Sequence, residues 1–461
     1  MVSLVVAVVV VLLAFVSVAA LFSARGELPV EPRALSFGPF EVVVSTQVPD
    51  WDFLLLVGLS LVLVAAVAIA LEITATLLTV NPDREVLDEL RGDTADPATC
   101  PDIRITILVP AHNEEASLPV TLGALAQQTR QPDRVIVVAD NCTDRTPQIA
   151  EEMGYEVFRS VNNADKKAGA LNQALTRILP ESEVCDVFMV MDADTSLAPR
   201  FLEVGAQRFR ADPELSSVGG VFYGEGGSGL LGQFQRNEYT RYSLQIRARH
   251  GRVFVLTGTA SMFRSQALLD VAAARGVIIP GGTGQVYDTE ALTEDNELTL
   301  ALKSLGGSMT SPAECQVTTE IMPTWRNLWV QRKRWQRGAL ENLSEYGITR
   351  ATVRYWGQQF GIAYGTIALN LFLLLMFITI VAVDQWIWFP FWLAVGLVFV
   401  VERVATVWRG GWRARILAAV LVPELGYDLF LQAVFVKCLF DISMAKRTTW
   451  GHVEHGPGAG A

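Results

Sequence analysis

Long apolar runs at the two ends of the chain are the feature that most limits its fold. Residues 2–22, VSLVVAVVVVLLAFVSVAALF, carry no charge and are long enough to cross a bilayer as one helix. A signal peptide is the alternative, but the run is too long for one and no basic residue precedes it. Hydrophobic residues make up 51% of the chain, and its mean hydropathy of +0.32 is high for a wholly soluble protein. The sequence therefore predicts a membrane-embedded part.

Further apolar runs extend this prediction. Three more spans are expected, at residues 53–80, 361–383 and 387–402. The last apolar stretch, 415–440, contains Glu424 and Asp428, and a carboxylate in mid-bilayer costs roughly 2.5–3.5 kcal/mol on insertion scales. We therefore expect these two carboxylates to face protein or water, in a stretch that forms one helix or two short pieces.

The polar middle of the chain, roughly 95–345, has the pattern of an α/β domain. RITILVP (104–110) and RVIVVAD (134–140) are short, branched and apolar, as buried strands are. YEVFRS and VFMVMD predict two more strands, and residues 115–128 and TPQIAEEMG predict helices. Strands that alternate with helices indicate right-handed crossovers and a mostly parallel, Rossmann-like sheet, in which ligands bind beyond the carboxyl ends of the strands.

Acidic residues follow two of these strands. Asp140 ends one strand, and Asp192 and Asp194 follow another. Clustered carboxylates repel each other, and a divalent cation is the simplest way to hold them together. A turn cap is the alternative, since Asp is common in turns. The position of the DxD pair directly after an apolar strand, with Asp140 on a companion strand, favours the metal.

Charge and cysteine usage exclude other classes. The net charge of −11 disfavours nucleic acid as a partner. The five cysteines are scattered and form no CxxC pair, which predicts neither a disulfide framework nor a zinc site. Buried or incidental thiols in a reducing compartment are expected.

Seven short motifs then follow one another in a recognisable order. They are VPAHNEE, VVADNCTDRT, KAGALN (167–172), DAD (192–194), TGTASMFR (257–264), TED (293–295) and QRKRW (331–335). In this order they resemble the membrane-embedded family 2 glycosyltransferases, the group that contains the cellulose, chitin, hyaluronan and poly-N-acetylglucosamine synthases. The resemblance implies a GT-A fold for the middle domain, and an activity that moves a sugar from a nucleotide diphosphate to an acceptor.

The same resemblance assigns the donor side of the site. Asp194 is expected to hold Mg²⁺ or Mn²⁺, and Asp192 to contact the ribose side of a UDP-sugar. Asp140 and Glu114 resemble the uridine-binding acids of the family. Lys167 is expected to help hold the nucleotide, although a solvated lysine beside Lys166 is an equally open interpretation.

Transfer also needs a base for the acceptor hydroxyl. Asp295 is the candidate, because one carboxylate on the far side of the sugar ring suffices for inversion, and Glu294 beside it is expected to bind the acceptor. The alternative makes Thr293 a helix N-cap with acids in the first turn, a common stabilising pattern. Both interpretations can hold together.

The QRKRW motif lies in an amphipathic stretch. On a helix Gln331, Arg334 and Trp335 share one face, and the resemblance places Arg334 near the donor diphosphate and Gln331 and Trp335 against the acceptor. The alternative is a helix at the membrane interface, with tryptophans in the headgroup belt and basic residues on anionic lipid. This alternative would place Arg332, Lys333 and Arg337 on anionic lipid, and we apply it to Trp325, Trp329, Lys333 and Arg337 but not to Gln331, Arg334 and Trp335.

These observations divide the chain into seven parts. We expect a first transmembrane helix at residues 1–25, an extracytoplasmic loop at 26–52 and a second transmembrane helix at 53–80. The GT-A domain is expected at 95–320, followed by amphipathic interface helices with QxxRW at 321–360. A C-terminal transmembrane region at 361–440 and a flexible tail at 441–461 complete the chain. Because nucleotide sugars are cytoplasmic, the GT-A domain should face the cytoplasm in a multi-pass protein of the plasma membrane.

The expected function is inverting sugar transfer to a growing polysaccharide, with export through the membrane domain. Single addition to a lipid acceptor is the alternative within the same chemistry. A transporter with a cytoplasmic domain is less favoured because the spans are few, and an inactive scaffold is less favoured because every motif acid is present.

Overall fold

The computed structural model describes residues 33–37, 40–44, 55, 100, 102–249, 251–382, 386–388 and 390–446. The chain divides into two compact units. One comprises Met1–Leu78 and Val353–Gly426, and the other comprises Thr79–Thr352 and Tyr427–Ala461. The predicted spans at 2–22 and, apart from Leu55, at 53–80 lie outside the described residues.

The larger unit is built on a seven-stranded sheet. Its strands are β3 (Arg104–Ala111), β4 (Arg134–Ala139), β5 (Glu156–Arg159), β6 (Asp186–Met191), β8 (Leu215–Gly219), β10 (Ala260–Arg264) and β11 (Ser308–Thr310), in the order β11-β8-β10-β6-β3-β4-β5. Neighbours pair in parallel except at β10, which is antiparallel to both β6 and β8. The prediction of a mostly parallel sheet is confirmed, and the four strands predicted from apolar runs are β3 to β6.

Helices cover the sheet because its central strands are apolar on both faces. Val109 of β3 and Met189 of β6 are completely buried, as are Leu118 and Leu122 of the first helix. The predicted helix at 115–128 is observed at Leu118–Ala126. The helices of this unit that precede the QRKRW motif are α1 (Leu118–Ala126), α2 (Thr146–Glu152), α3 (Lys166–Ile178), α4 (Phe201–Ala211), α5 (Gly229–Ala248), α6 (Ser265–Ala274) and α7 (Glu294–Ser304).

A second, three-stranded sheet extends the unit. It consists of β7 (Ser196–Leu197), β12 (Gln316–Thr319) and β9 (Val221–Gly224), in that order. The chain then enters α8 (Trp325–Tyr346), which carries QRKRW. Thr324 caps this helix by accepting a hydrogen bond from the backbone N–H of Asn327, 3.2 Å away. The polar stretch predicted as amphipathic is therefore one continuous helix.

The pairing of two cysteines differs from the prediction. Cys100 and Cys185 form a disulfide, with Cα atoms 5.4 Å apart, so the expectation of unpaired thiols is wrong for this pair. The reason lies in the topology: β3 and β6 are neighbouring parallel strands, so the residues just before them meet at one edge of the sheet. Sequence spacing does not reveal this, since the pair is separated by 85 residues.

The smaller unit contains apolar helices and a small sheet. Strands β1 (Arg33–Phe37) and β2 (Phe40–Val44) form an antiparallel hairpin, and β13 (Trp386–Trp388) pairs in parallel with β2. The helices from this unit to the end of the described chain are α9 (Val353–Ala382), α10 (Pro390–Thr406), α11 (Gly411–Val420) and α12 (Val422–Ser443).

One described helix is long and apolar enough to cross a membrane, at Val353–Ile378, where mean hydropathy is 2.1 and 6% of the residues are buried. A second candidate is a broken span, in which Trp408–Val420 and Val422–Ser443 meet at 85°. The last apolar stretch is therefore two pieces, one of the alternatives that the sequence left open. Glu424 is buried and pairs with Arg403 at 3.6 Å, so this carboxylate faces protein as expected.

Candidate functional site

Asp140 lies directly after β4 and is held rigidly. It is buried, and its Oδ1 accepts hydrogen bonds from Ser160 Oγ at 2.7 Å and from Asn163 Nδ2 at 2.8 Å. His112 Nδ1 lies 2.6 Å from the backbone oxygen of Asp140. Sequence analysis did not identify Ser160 or Asn163 as partners, because they follow the next strand, β5, and reach Asp140 only across the folded edge.

The VPAHNEE and VVADNCTDRT motifs form one paired loop. The backbone N–H of Glu114 donates to Thr146 Oγ1 at 2.7 Å, and that of Thr143 donates to Asn113 Oδ1 at 2.7 Å. Asn113 has a φ of 58°, in the left-handed region that asparagine tolerates better than most residues. The Glu114 carboxylate accepts a hydrogen bond from Ser117. The two predicted uridine-binding acids thus lie on loops that are tied together at the carboxyl ends of β3 and β4.

Lys167 joins two motifs that are remote in sequence. Its Nζ lies 2.6 Å from Asp192 Oδ1 and 3.1 Å from Glu294 Oε1, and its side chain is 24% exposed. Burial lowers the pKa of Lys167, but the two carboxylates outweigh that effect and raise the pKa above its usual value. The alternative of a solvated lysine is therefore wrong.

Asp295 occupies the second position of α7, and its carboxylate is fixed by backbone donors. Gly258 N–H donates to Oδ2 at 3.0 Å, and Asn296 N–H donates to Oδ1 at 2.8 Å. Burial, followed by the neighbouring charge of Glu294, raises the pKa of Asp295 to about 6. Burial also acts to raise the pKa of Glu294, but Lys167 outweighs it and the pKa is lowered. Two adjacent carboxylates therefore differ in proton affinity, and Asp295 is the one suited to exchange a proton near neutral pH.

The TGTASMFR loop connects the two sides of this cluster. Asp192 N–H donates to the backbone oxygen of Thr259 at 3.0 Å, while Gly258 holds Asp295. The hydroxyls of Thr257 and Thr259 lie 2.6 Å apart. A cavity of about 20 Å³, lined in part by Lys167, Gly258 and Asp295, lies beside the carboxylates. This volume holds about one water molecule.

Asp194 follows Asp192 on the turn after β6, and its Oδ1 accepts a hydrogen bond from Thr195 Oγ1 at 3.1 Å. Among the described residues, no group of three or more His, Cys, Asp or Glu side chains is arranged to hold a metal ion. The balance of charge at this edge nevertheless allows a further cation to bind. Four carboxylates, those of Asp192, Asp194, Glu294 and Asp295, interact here with two cations, Lys167 and Arg334. A cation that takes one protein carboxylate, and completes its shell with phosphate and water, fits this donor set.

Helix α8 packs against the start of α7, where Asp295 lies. A carbon added at Gly338 would overlap the side chain of Thr293, so the close approach requires glycine. Asn342 Nδ2 donates to Asn296 Oδ1 at 3.0 Å and to Thr293 Oγ1 at 3.4 Å. Thr293 is at the N-cap position, with Glu294, Asp295 and Glu297 in the first turn, but its side chain makes no capping hydrogen bond. Its hydroxyl is used instead to join α7 to α8.

A buried ion pair also holds helix α7 in place. Arg275 and Glu297 are both fully buried, and the guanidinium donates to the two carboxylate oxygens at 2.7 and 2.6 Å. Tyr346, at the end of α8, also donates to Glu297. Arg275 further donates to the backbone oxygen of Val286 at 2.7 Å. Sequence analysis missed this unit, since an arginine that ends one helix and a glutamate in the next give no local signal.

The segment PGGTGQVYD, which precedes the TED motif, is tied down at its end. Asn172 of the KAGALN motif donates from Nδ2 to the backbone oxygen of Tyr287 at 2.8 Å, and its Oδ1 accepts from Tyr287 N–H at 2.9 Å. Tyr287 is buried and lines the cavity beside Asp295. Asn172 is therefore a further residue of the site that the motif contained but the sequence analysis did not assign.

Arg334 is the residue of the QRKRW motif whose charge acts on the acidic cluster around Lys167. The positive charge of Arg334 acts on Glu294 and on Lys166. Gln331 Oε1 accepts a hydrogen bond from Arg332 Nη1 at 2.6 Å, and the Arg332 guanidinium lies 4.3 Å from the centre of the Trp335 ring.

The basic residues assigned to lipid require a correction. Arg332 and Arg337 are buried, and Lys333 pairs with Asp441 at 2.8 Å. Arg337 Nε donates to Glu341 at 2.6 Å. The expectation that these three residues meet anionic headgroups is wrong, because each has a carboxylate partner within its own compact unit.

Comparison with known proteins identifies one domain of the chain. Residues 106–271 match the sequence model described as "Glycosyl transferase family 2". The chain contains a family 2 glycosyltransferase domain. Its matched residues include KAGALN, DAD and TGTASMFR, and its mostly parallel sheet is the GT-A fold that the resemblance implied.

Relatives extend the match beyond this domain. The poly-β-1,6-N-acetyl-D-glucosamine synthase of Staphylococcus aureus (strain COL) is 26% identical over 285 residues, 60% of this chain and 61% of that protein. The probable glycosyltransferase YdaM of Bacillus subtilis (strain 168) is 32% identical over 251 residues, 51% of this chain and 55% of YdaM. The chain thus spans about three fifths of the length of the first of these relatives.

Among solved structures, the mannosyltransferase PcManGT from Pyrobaculum calidifontis, in complex with GDP-Man and Mn²⁺, aligns with a TM-score of 0.49 at 16% identity. The alignment covers 83% of this chain and 99% of PcManGT.

Proposed function

We propose that this chain is an inverting glycosyltransferase that moves a sugar from a UDP-sugar to a growing polysaccharide at the plasma membrane. The observation that carries the proposal is the Asp192–Lys167–Glu294 ion-pair chain with Asp295 beside it, in a chain whose residues 106–271 match the family 2 model. These residues come from three separate motifs and meet at the carboxyl edge of a parallel sheet, where α/β proteins bind ligands.

The donor would bind along the loops after β3, β4 and β6. Asp140, held by Ser160 and Asn163, presents a fixed acceptor for the uracil or ribose groups, and Glu114 lies on the adjoining loop. Asp192 would accept a ribose hydroxyl while Lys167 compensates its charge. Because a preorganised site does not reorient its side chains when the donor arrives, binding costs little ordering entropy.

Asp194 would hold Mg²⁺ or Mn²⁺ together with the diphosphate. When bound, the metal supplies Lewis-acid neutralisation of the charge that builds on the leaving diphosphate. Arg334 would add a second positive charge from α8, because its electrostatic influence already reaches Glu294.

Asp295 would act as the base. The acceptor hydroxyl loses its proton to the Asp295 carboxylate as its oxygen attacks the anomeric carbon from the face opposite the diphosphate. A base with a pKa of about 6 is largely ionised at neutral pH and still accepts a proton effectively. The N–H groups of Gly258 and Asn296 keep the carboxylate oriented through the reaction.

The acceptor would lie between the start of α7 and the QRKRW face of α8. Glu294 would accept a hydrogen bond from an acceptor hydroxyl, Gln331 would offer a further polar contact, and Trp335 would pack against the C–H face of a sugar. The acceptor class is the growing polysaccharide, with a lipid-linked sugar as the alternative.

Membrane embedding is supported by two observations. Helix α9 is apolar over 26 residues but only 6% buried, and so large an exposed apolar surface fits lipid better than water. Strand β13, which follows α9, pairs with β2 of the segment predicted as extracytoplasmic. In a membrane-embedded chain these two segments would lie on one side of the bilayer, which supports the proposal of a multi-pass protein.

The proposal is tested by screening the full chain, purified in lipid, against a panel of UDP-sugars and measuring UDP release and product length. UDP-N-acetylglucosamine heads the panel, because matched relatives are poly-β-1,6-N-acetyl-D-glucosamine synthases. One donor should be consumed, chelator should abolish its consumption, and a polymer is the expected product.

A matched pair of variants controls this test. Asp194→Asn should lose activity, whereas Asp186→Asn, at the opposite end of β6 and paired with Arg104, should retain it within about twofold because exposed ion pairs contribute little. Turnover undiminished by chelator would contradict the role of Asp194, and no turnover with any nucleotide sugar would contradict the function.

A further inference from the structure

Arg332 is a buried arginine at a variable position of the QxxRW motif. It lies on α8 and is 5% exposed, although its place in a basic, tryptophan-rich helix predicted a lipid-facing side chain. A charge is retained in a buried position only when partners compensate it. The identity of those partners indicates what this arginine does.

Arg332 contacts two of the three residues that are predicted to bind the acceptor. Its Nη1 donates to Gln331 Oε1 at 2.6 Å, and its guanidinium carbon lies 4.3 Å from the centre of the Trp335 ring. This distance is well within the range of cation–π stacking. The guanidinium therefore covers one face of the indole, and it also holds the side-chain amide of Gln331.

Two other helices hold Arg332 itself. Its Nη2 donates to Glu238 Oε2 at 2.9 Å, and Tyr427 OH donates to the same oxygen at 2.6 Å. The Tyr239 ring lies 5.7 Å from the guanidinium. Glu238 and Tyr239 belong to α5, and Tyr427 belongs to α12. One carboxylate oxygen thus ties α5, α8 and α12 together around this arginine.

We propose that Arg332 is a positioning residue of the acceptor subsite, which fixes Gln331 and the Trp335 ring and is itself anchored by Glu238 and Tyr427. This inference rests on the proposed transferase function. Arginine suits the task because its planar fork donates in several directions while its face stacks on an aromatic ring, and lysine can do only the first of these.

A purely structural role makes a different prediction. A buried ion pair that only stabilises the fold would lower the amount of active protein and would affect donor and acceptor use equally. A positioning role affects the acceptor alone, because in the described part of the chain Arg332 makes no hydrogen bond or ion pair with the proposed donor-binding residues Asp140, Asp192 and Lys167. The KM for the acceptor and the hydrolysis of the donor by water therefore separate the two roles.

The chain offers a matched control in Arg337. It lies on the same helix, is buried to a similar degree, and is held by Glu341 and by the backbone oxygen of Lys446 at 2.7 Å. Among the described residues, Arg337 makes no hydrogen bond or ring contact with Gln331 or Trp335. Arg332→Lys and Arg337→Lys therefore remove comparable arginines, of which only the first touches the acceptor residues.

The experiment uses the full chain in lipid, with UDP-N-acetylglucosamine as donor and N-acetylglucosamine oligosaccharides as acceptor, or the corresponding pair for whichever donor the panel identifies. Arg332→Lys should raise the acceptor KM about tenfold, because lysine lacks both the planar group that stacks on the Trp335 ring and the fork that reaches Gln331 and Glu238 together. Donor KM and donor hydrolysis should stay within about twofold. Arg337→Lys should leave the acceptor KM unchanged.

Tyr427→Phe provides a second variant if Arg332→Lys does not fold. It removes one hydrogen bond to Glu238 and should raise the acceptor KM in the same direction by a smaller factor. Equal acceptor KM in wild type, Arg332→Lys and Tyr427→Phe would overturn the positioning role while leaving the transferase function intact. A wild type that consumes no nucleotide sugar would instead remove the acceptor subsite, and the role of Arg332 with it.

Discussion

Replacing Glu297 by glutamine should strongly destabilise the catalytic unit. Glu297 and Arg275 form a two-pronged ion pair in which both side chains are fully buried. An arginine side chain is not deprotonated in proteins, so the guanidinium of Arg275 remains charged after the substitution. The variant therefore leaves a buried positive charge without its counter-ion.

The size of the effect follows from this geometry. Removing one partner of a buried ion pair costs ~3–5 kcal/mol, because the other charge is left uncompensated. Arg275 keeps its hydrogen bonds to the backbone oxygens of Val286 and Pro280, so we expect the lower end of this range. For a domain of 150–250 residues each kcal/mol lowers Tm by ~2–4 °C, so a fall of ~6 °C or more is expected.

Thermal unfolding of the purified chain, followed by tryptophan fluorescence, measures this effect. The control is Glu152→Gln, which breaks an ion pair with Arg145 at 3.0 Å. The side chains of Arg145 and Glu152 are 67% and 64% exposed. Such exposed pairs contribute ~0–1 kcal/mol. Tyr346→Phe, which removes only one hydrogen bond to Glu297, should fall between the two. If Glu297→Gln lowers Tm no more than Glu152→Gln, the argument from burial is refuted.

Three further predictions concern the site itself. Because the pKa of Asp295 is raised to about 6 by burial and by Glu294, and only its carboxylate accepts a proton, kcat/KM should fall ~tenfold per pH unit below that pKa. Glu294→Gln removes a negative charge and should move this acid limb to lower pH, whereas Lys167→Gln removes a positive charge and should move it to higher pH. The pH profiles of the residual activity of both variants measure these shifts. Shifts in the same direction in the two variants would contradict the assignment of Asp295. Gly338→Ala should cost ~1–3 kcal/mol through overpacking against the N-cap threonine of α7, and its Tm should lie below that of Gly361→Ala, whose added carbon meets nothing within 4 Å.

The parts of the fold that the sequence predicted correctly share one physical origin. Strands β3, β4 and β6 are buried on both faces, so they appear as unbroken apolar runs, and the acids that follow them mark the edge where a parallel sheet binds ligands. Asp140 and Asp192 were placed by this argument, and the structure brings the loops that carry them to that edge. Strand β10 was not predicted, because antiparallel pairing with β6 and β8 depends on chain segments far away in sequence.

The contacts that the sequence did not reveal are the ones that hold the site in place. Arg275 and Glu297, Asn172 and Tyr287, and Arg332 and Glu238 are separated by 22, 115 and 94 residues. A motif identifies which residue type a reaction needs, but its supporting partners depend on the tertiary arrangement. Basic residues on an amphipathic helix have the same local pattern whether they face lipid or a carboxylate of the protein, which is why Lys333 and Arg337 were misassigned.

The most direct test of the account is single-turnover transfer by Asp295→Asn, measured beside its affinity for the UDP-sugar. Asparagine keeps the size of the side chain but cannot accept the proton of the acceptor hydroxyl. The account predicts that transfer falls by ~10²–10⁴-fold, the usual contribution of a general base, while donor affinity changes little. Transfer within tenfold of wild type would contradict the account, because the proton would then be taken elsewhere.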